Sequence, residues 1–238
     1  MKDGEMVDKY FKRYEFKYLI SRKTYEEMLT IFKDLLLKDE YFESLISNIY
    51  YDTSNFSLIR KSLEKPFYKE KLRLRTYGKF KDDNLVFVEL KKKYDGIVYK
   101  RREKVNYLDI NNYLNFSSSQ IGQEINYFLR FYPNLERKMF ISYERKSYYY
   151  KDIPSLRITF DDHILYRLDY LDFKYGIFGD KLLDDDVILM EIKSAVGLPL
   201  ALVNFLSSNH FYKQSFSKYG EAYKEIIKNH EQGELIYG

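Results

Sequence analysis

Arginine and lysine recur at every second position along several segments of this 238-residue chain, a spacing that puts them on one side of an extended strand. Lys69, Lys71, Arg73 and Arg75 share one side of residues 68–77, opposite Leu72 and Leu74. Arg13, Glu15 and Lys17 oppose Tyr14, Phe16 and Tyr18, and Glu89 and Lys91 oppose Val88 and Leu90. Lys100 and Arg102 form another such pair, and Tyr143, Arg145 and Ser147 line up in 140–149. Arg157, Thr159 and Asp161 oppose Leu156, Ile158 and Phe160, while Glu191 and Lys193 oppose Met190 and Ile192. Collected on one surface, such cations suit a polyanion: arginine offers a planar fork to phosphate oxygens and lysine a point charge. The few carboxylates on the same side, Glu15, Glu89, Asp161 and Glu191, can pair with arginine or hold a divalent ion that bridges phosphates.

The bland alternative is the wet side of an antiparallel sheet. Two features weigh against it for the whole set: cations outnumber carboxylates, and arginine fills strand middles, where mixed threonine, lysine and glutamate would be ordinary. If the sheet curls so that this face points inward, the like charges require carboxylates or a bound anion to offset them. A nucleic-acid surface is the competing reading, since basic strands interleaved with aromatics can stack bases. The aromatics here fall mostly on the side opposite the cations, as core residues do.

Composition narrows the chemistry further. The 40 Lys+Arg against 36 Asp+Glu leave a net charge of +4, too small to demand an anionic partner by itself. With no cysteine, disulfides, thiolate metal sites and cysteine nucleophiles are excluded, and three histidines make a histidine-rich metal centre improbable. There is no Gly-x-x-x-x-Gly-Lys-Ser/Thr loop, Gly-x-Gly-x-x-Gly turn, His-Glu-x-x-His helix or Gly-x-Ser-x-Gly elbow. His163, after Asp161-Asp162, reads as a turn residue at a strand end. The polar first twelve residues are no signal peptide, and no run of about 18 apolar residues occurs. A soluble cytoplasmic protein is expected.

The elements that must carry these side chains follow from periodicity. With 26 Tyr and 18 Phe the chain leans towards strands, and eight are expected, adding 47–52 to the segments above. Four helices are expected. One spans 24–36 from a Thr24/Glu27 capping box, a second spans 121–132 before Pro133, a third spans 199–209 from Pro199, and the last spans 218–229 after Ser217 as N-cap. Residues 115–120 and 176–186 read as loops. Proline and glycine are scattered, so one domain over 1–238 is expected, its core about 11–225. The fold class is α+β: an antiparallel sheet with flanking helices.

Eight short segments carry a resemblance. Arg13-Tyr-Glu-Phe-Lys17-Tyr, Ser47-Asn-Ile-Tyr-Tyr-Asp-Thr53, Lys71-Leu-Arg-Leu-Arg-x-Tyr-Gly78, Val88-Glu-Leu-Lys91, Tyr143-Glu-Arg145, Leu156-Arg-Ile-Thr-Phe-Asp161, Leu189-Met-Glu-Ile-Lys193 and Phe216-Ser-Lys-Tyr219 occur in order. Together they resemble the VTC (vacuolar transporter chaperone) polyphosphate polymerase domain, a relative of the CYTH or triphosphate tunnel metalloenzymes. The resemblance implies a tunnel-shaped barrel of about eight antiparallel strands. It also implies transfer of the γ-phosphoryl group of ATP onto growing inorganic polyphosphate, assisted by Mn²⁺ or Mg²⁺. Carried over by position, Lys17, Arg73, Arg75, Lys91, Arg145, Arg157 and Lys218 would act on the phosphates. Lys71, Lys100, Arg102, Tyr143, Lys193 and Ser217 would line the substrate path. Glu191 would hold the metal, with Glu15 and Glu89 as weaker candidates. CYTH hydrolases open with Glu-x-Glu-x-Lys; here Arg13 takes the first acidic place, which counts against triphosphate hydrolysis as the main activity. A triphosphatase in the same tunnel and a non-catalytic polyphosphate-binding module remain the alternatives. Expected partners are ATP and polyphosphate, with neither nucleic acid nor a membrane segment, and a membrane or kinase-like partner stays open.

Overall fold

A computed structural model describes residues 14–81, 83–95 and 97–237, with the side chains of 230–237 left aside. Arg13, which sets the first strand apart from the hydrolase pattern, lies outside the described residues.

Two compact units divide the chain: residues 1–42, 146–161 and 186–215 in the first, and 43–145, 162–185 and 216–238 in the second. In chain order the elements begin with β1 (Tyr14–Ser21), α1 (Arg22–Ile31), β2 (Leu36–Asp52), α2 (Ser57–Leu63), β3 (Tyr68–Tyr77), β4 (Leu85–Tyr94) and β5 (Ile97–Asn106). They continue with α3 (Ile110–Phe116), α4 (Gln120–Phe131), β6 (Glu136–Tyr150), β7 (Ile153–Arg167), β8 (Asp180–Lys181), β9 (Val187–Ser194), α5 (Leu200–Ser208) and α6 (Lys218–Tyr237). The sheet order is β1-β9-β7-β6-β2-β3-β4-β5, with the two-residue β8 on β7. The eight expected strands are present, and the class is α+β with an antiparallel sheet.

Each unit has its own core on the apolar side of its strands. In the first, Met28 and Phe32 from the α1 region and Leu202, Phe205 and Leu206 of α5 cover Ile158, Phe160, Met190 and Ile192. In the second, Leu58 of α2, Leu114 of α3, and Ile125 and Phe128 of α4 join Ile49, Leu72, Leu74, Val88 and Leu90. Period-two alternation fixes this sidedness: once the leucines of β3 are buried, its lysines and arginines must point the other way.

Some expected boundaries shift. The first helix has its N-cap three residues early, at Ser21 and not Thr24, and the Ser21 hydroxyl accepts the Thr24 amide at 3.1 Å. It ends at Ile31 through a tight turn in which the Phe32 carbonyl accepts from the amides of Leu35 and Leu36. Leu36 then opens β2, a 17-residue strand of which only 47–52 were legible. Two short helices were not foreseen. α2 follows Phe56 in a left-handed conformation (φ 59°), and its amides at Leu58 and Ile59 are capped by Asp52, six and seven residues away. α3 is rich in asparagine, a weak helix former, and takes in part of the expected 115–120 loop. His163 has the left-handed backbone of a turn residue (φ 47°) but sits inside β7.

Candidate functional site

In the second unit the charged sides of β2 to β5 line up as cross-strand rows. Antiparallel register sets Tyr50 beside Arg73, Arg73 beside Glu89 and Glu89 beside Arg102. The next row is Lys71, Lys91 and Lys100, and beyond it Lys69 faces Lys93. On the other flank Asn48 faces Arg75, which faces Phe87, which faces Lys104.

Glu89 is the anionic hub of this surface. Its Oε2 lies 2.6 Å from an Arg73 terminal nitrogen and accepts from Arg73 Nε at 2.8 Å; Arg75 Nε is 3.8 Å away. Its Oε1 lies 2.9 Å from Lys100 Nζ and 3.1 Å from Arg102 Nε, yet neither is aligned for a hydrogen bond. Burial raises the carboxyl's pKa, but Arg73, Arg75 and Lys100 outweigh it and hold it down at about 2. For Lys100, burial prevails and lowers its pKa despite Glu89.

The two strand-middle arginines are held in place. Arg73 also donates to the Tyr50 hydroxyl at 2.9 Å. Its pKa is raised: burial opposes the charge, but Tyr50 and Glu89 more than compensate. Arg75, buried, donates Nε to Asn48 Oδ1 at 2.8 Å and a terminal N–H to the Tyr143 hydroxyl at 3.4 Å. Asn48 is fixed in turn by donating to the Ile141 carbonyl at 3.1 Å. Asn48 and Tyr50 were not singled out from sequence, although both lie in the Ser47–Thr53 segment that carried the resemblance; polar residues at alternating positions facing Arg73 and Arg75 were the available signal.

Lys71 donates to Ser217 Oγ at 3.3 Å, and Lys218 Nζ lies 4.2 Å from the centre of the Tyr143 ring. Arg145 is 5.3 Å from the same ring centre. Lys91 and Arg102 are exposed, and Arg102 lies flat over Phe87 at 3.4 Å. At the end of β3 the motif Tyr77-Gly78 turns the chain: Gly78 takes φ 74° and donates to the Leu45 carbonyl at 2.8 Å.

The first unit gathers a different set. Register pairs Glu15 with Lys193 and Lys17 with Glu191 across β1 and β9, and Arg157 with Lys193 and Thr159 with Glu191 across β7 and β9. Lys17 Nζ lies 3.2 Å from Glu15 and 3.4 Å from Glu191, whose other oxygen accepts from Lys193 at 2.7 Å. Burial pulls the Lys17 pKa down, but the two carboxylates raise it overall. The Thr159 hydroxyl is buried with no hydrogen-bond partner. Arg157 is exposed and pairs with Asp39 at 3.3 Å.

The three carboxylates considered for a metal therefore differ in surroundings. Among the described residues no three metal-ligating side chains cluster. Glu15 and Glu191 both meet Lys17 on one face, two oxygen donors of the kind a divalent ion takes, although Lys17 and Lys193 now occupy them. Glu89 does not fit: its oxygens already meet four cations, and a further cation would be repelled.

The VTC domain family matches residues 12–227, nine-tenths of the chain. This chain belongs to that family. Solved structures agree on the fold. A structure from Bacillus halodurans, described as a candidate adenylate cyclase, aligns at 14% identity over 85% of this chain and 92% of its own, with a TM-score of 0.54. A Hippeastrum protein, described as a candidate adenylyl cyclase with a dominant triphosphatase activity, aligns at 16% identity over 86% and 92%, TM-score 0.48. No curated protein matches the chain in sequence. The VTC domain thus has the CYTH-like tunnel fold. Among the described residues no helix is long and apolar enough to cross a membrane.

Proposed function

We propose that this VTC domain is an ATP-dependent polyphosphate polymerase that passes the γ-phosphoryl group of ATP to the end of a growing chain. The observation that carries the reading is the length and imbalance of the strip on β3 to β5. Arg75, Arg73, Lys71 and Lys69 follow one another along about 20 Å of strand, flanked by Lys91, Lys93, Lys100, Arg102 and Lys104, with Glu89 as the one carboxylate in these rows. A triphosphate covers only part of that length, whereas a phosphate chain can run along all of it. Like charges set directly opposite, as in Lys71-Lys91-Lys100, cost stability unless an anion lies across them.

The chemistry asks for positioning more than for a base. A terminal phosphate is already ionised near neutral pH, so holding donor and acceptor in line and neutralising charge are the main tasks. Arg73 and Arg75, held by Glu89, Tyr50 and Asn48, would grip successive phosphates without having to reorganise. In the second unit Lys91, Arg145 and Lys218 would add positive charge, and Lys71 and Ser217, already joined, would bind the chain where α6 begins; in the first, Lys17 and Arg157 would add theirs. Glu191 with Glu15 would hold Mn²⁺ or Mg²⁺, which when bound supplies charge neutralisation at phosphate oxygens.

Purified protein incubated with ATP and Mn²⁺, with products resolved on a gel separating long polyphosphate from orthophosphate, tests the reading. Chains support the polymerase; orthophosphate alone makes the domain a triphosphatase, and binding without turnover makes it a polyphosphate-binding module. Glu191→Gln should abolish metal-stimulated turnover while leaving the melting temperature close to that of the parent; full activity would remove Glu191 from the site.

A further inference from the structure

Asp52 is completely buried at the end of β2. Its Oδ1 accepts the amides of Thr53 (2.8 Å) and Leu58 (2.9 Å), and its Oδ2 accepts the Ile59 amide (3.0 Å) and the Tyr219 hydroxyl (2.8 Å). One carboxylate therefore ties the start of α2 to the start of α6, 167 residues further along the chain. Tyr219 is itself buried, and its ring stacks on Tyr50 at 4.5 Å with planes 11° apart. Tyr50 is the residue that accepts from Arg73. Burial and the neighbouring Asp52 push the Tyr219 pKa well up, so its hydroxyl stays a donor.

Immediately before Tyr219 come Ser217 and Lys218, and their side chains meet the phosphate-binding surface at Lys71 and Tyr143. We infer that Asp52 and Tyr219 are positioning residues: their hydrogen bond fixes the first turn of α6 so that Ser217 and Lys218 are presented to a bound polyphosphate. The inference rests on the proposed function, since it assumes that this surface binds phosphate. It assigns no contact with the ligand to Asp52 or Tyr219. A hydroxyl anchored to a buried carboxylate gives a short, directional constraint, whereas the helix N-terminus alone would leave the Ser217-Lys218 step to fray.

The experiment is a double-mutant cycle read by calorimetric titration with tripolyphosphate, with the melting temperature of every variant recorded. Tyr219→Phe keeps the ring stack and removes only the hydroxyl; it should weaken tripolyphosphate binding roughly tenfold, the low end for hydrogen bonds to charged groups. In a Ser217→Ala/Lys218→Ala background the same change should have no further effect on affinity, because both residues it positions are gone. Equal losses in both backgrounds, or unchanged affinity in Tyr219→Phe, would overturn the inference and leave the pair a purely structural tie. Asp52→Asn, put through the same cycle, gives the second reading should Tyr219→Phe fold poorly. If the parent protein binds no tripolyphosphate or longer polyphosphate, the proposed function fails instead, so the two failures are told apart.

Discussion

Glu89 shows how one side chain can organise a cationic surface. It meets Arg73, Arg75, Lys100 and Arg102, and with its pKa held at about 2 it stays ionised well into acid. A carboxyl whose folded pKa is depressed contributes stability that is fully present above its unfolded value near 4.5 and is lost as pH falls towards 2. The shift corresponds to about 3 kcal/mol. Acid unfolding followed by circular dichroism should therefore steepen between these two values, and Glu89→Gln should flatten that part of the profile while lowering stability at neutral pH. An unchanged acid profile would mean that the hub contributes nothing. For the arginines, Arg73→Ala and Arg75→Ala should each weaken tripolyphosphate binding by about 1.5–3 kcal/mol by calorimetry, the range for charge-assisted hydrogen bonds.

Strand by strand, the unfavourable feature is the lysine row. Lys71, Lys91 and Lys100 lie side by side on β3, β4 and β5, and Lys69 beside Lys93 repeats the pattern. Burial together with Lys93, Lys91 and Lys65 lowers the Lys69 pKa, the response expected of a cation crowded by cations. Lys91→Ala should thus reduce the rise in melting temperature that tripolyphosphate produces, and an unchanged rise would remove Lys91 from the binding surface. The strand pattern itself was easy to read from residues: β3 and β4 follow from alternation, β5 less cleanly. α2 escaped because its amides are capped by Asp52 from six and seven residues away across a left-handed Phe56, which is not the adjacent N-cap pattern that marks a helix start.

Taken whole, the chain is a VTC domain with the CYTH-like tunnel fold, and its proposed ligand is a polymer. Affinity should then grow with phosphate chain length beyond three and collapse in high salt, where the screening length shrinks to about 3 Å at 1 M. Titrations with tripolyphosphate and with longer chains at two ionic strengths check this; equal affinities would confine the ligand to a triphosphate.

Sidedness was settled by the sequence: apolar and charged residues alternate, burial of one set orients the other, and so Arg73, Arg75, Glu89, Lys91 and Glu191 could each be assigned to the charged side of its own strand. Pairing was decided by tertiary structure. That Glu89 neutralises Arg73 and Arg102, whereas Glu15 and Glu191 share Lys17, depends on which residues stand opposite across neighbouring strands. Register is set by hairpins, by crossovers and by packing over the whole chain, and a single strand's residues carry no record of their neighbours.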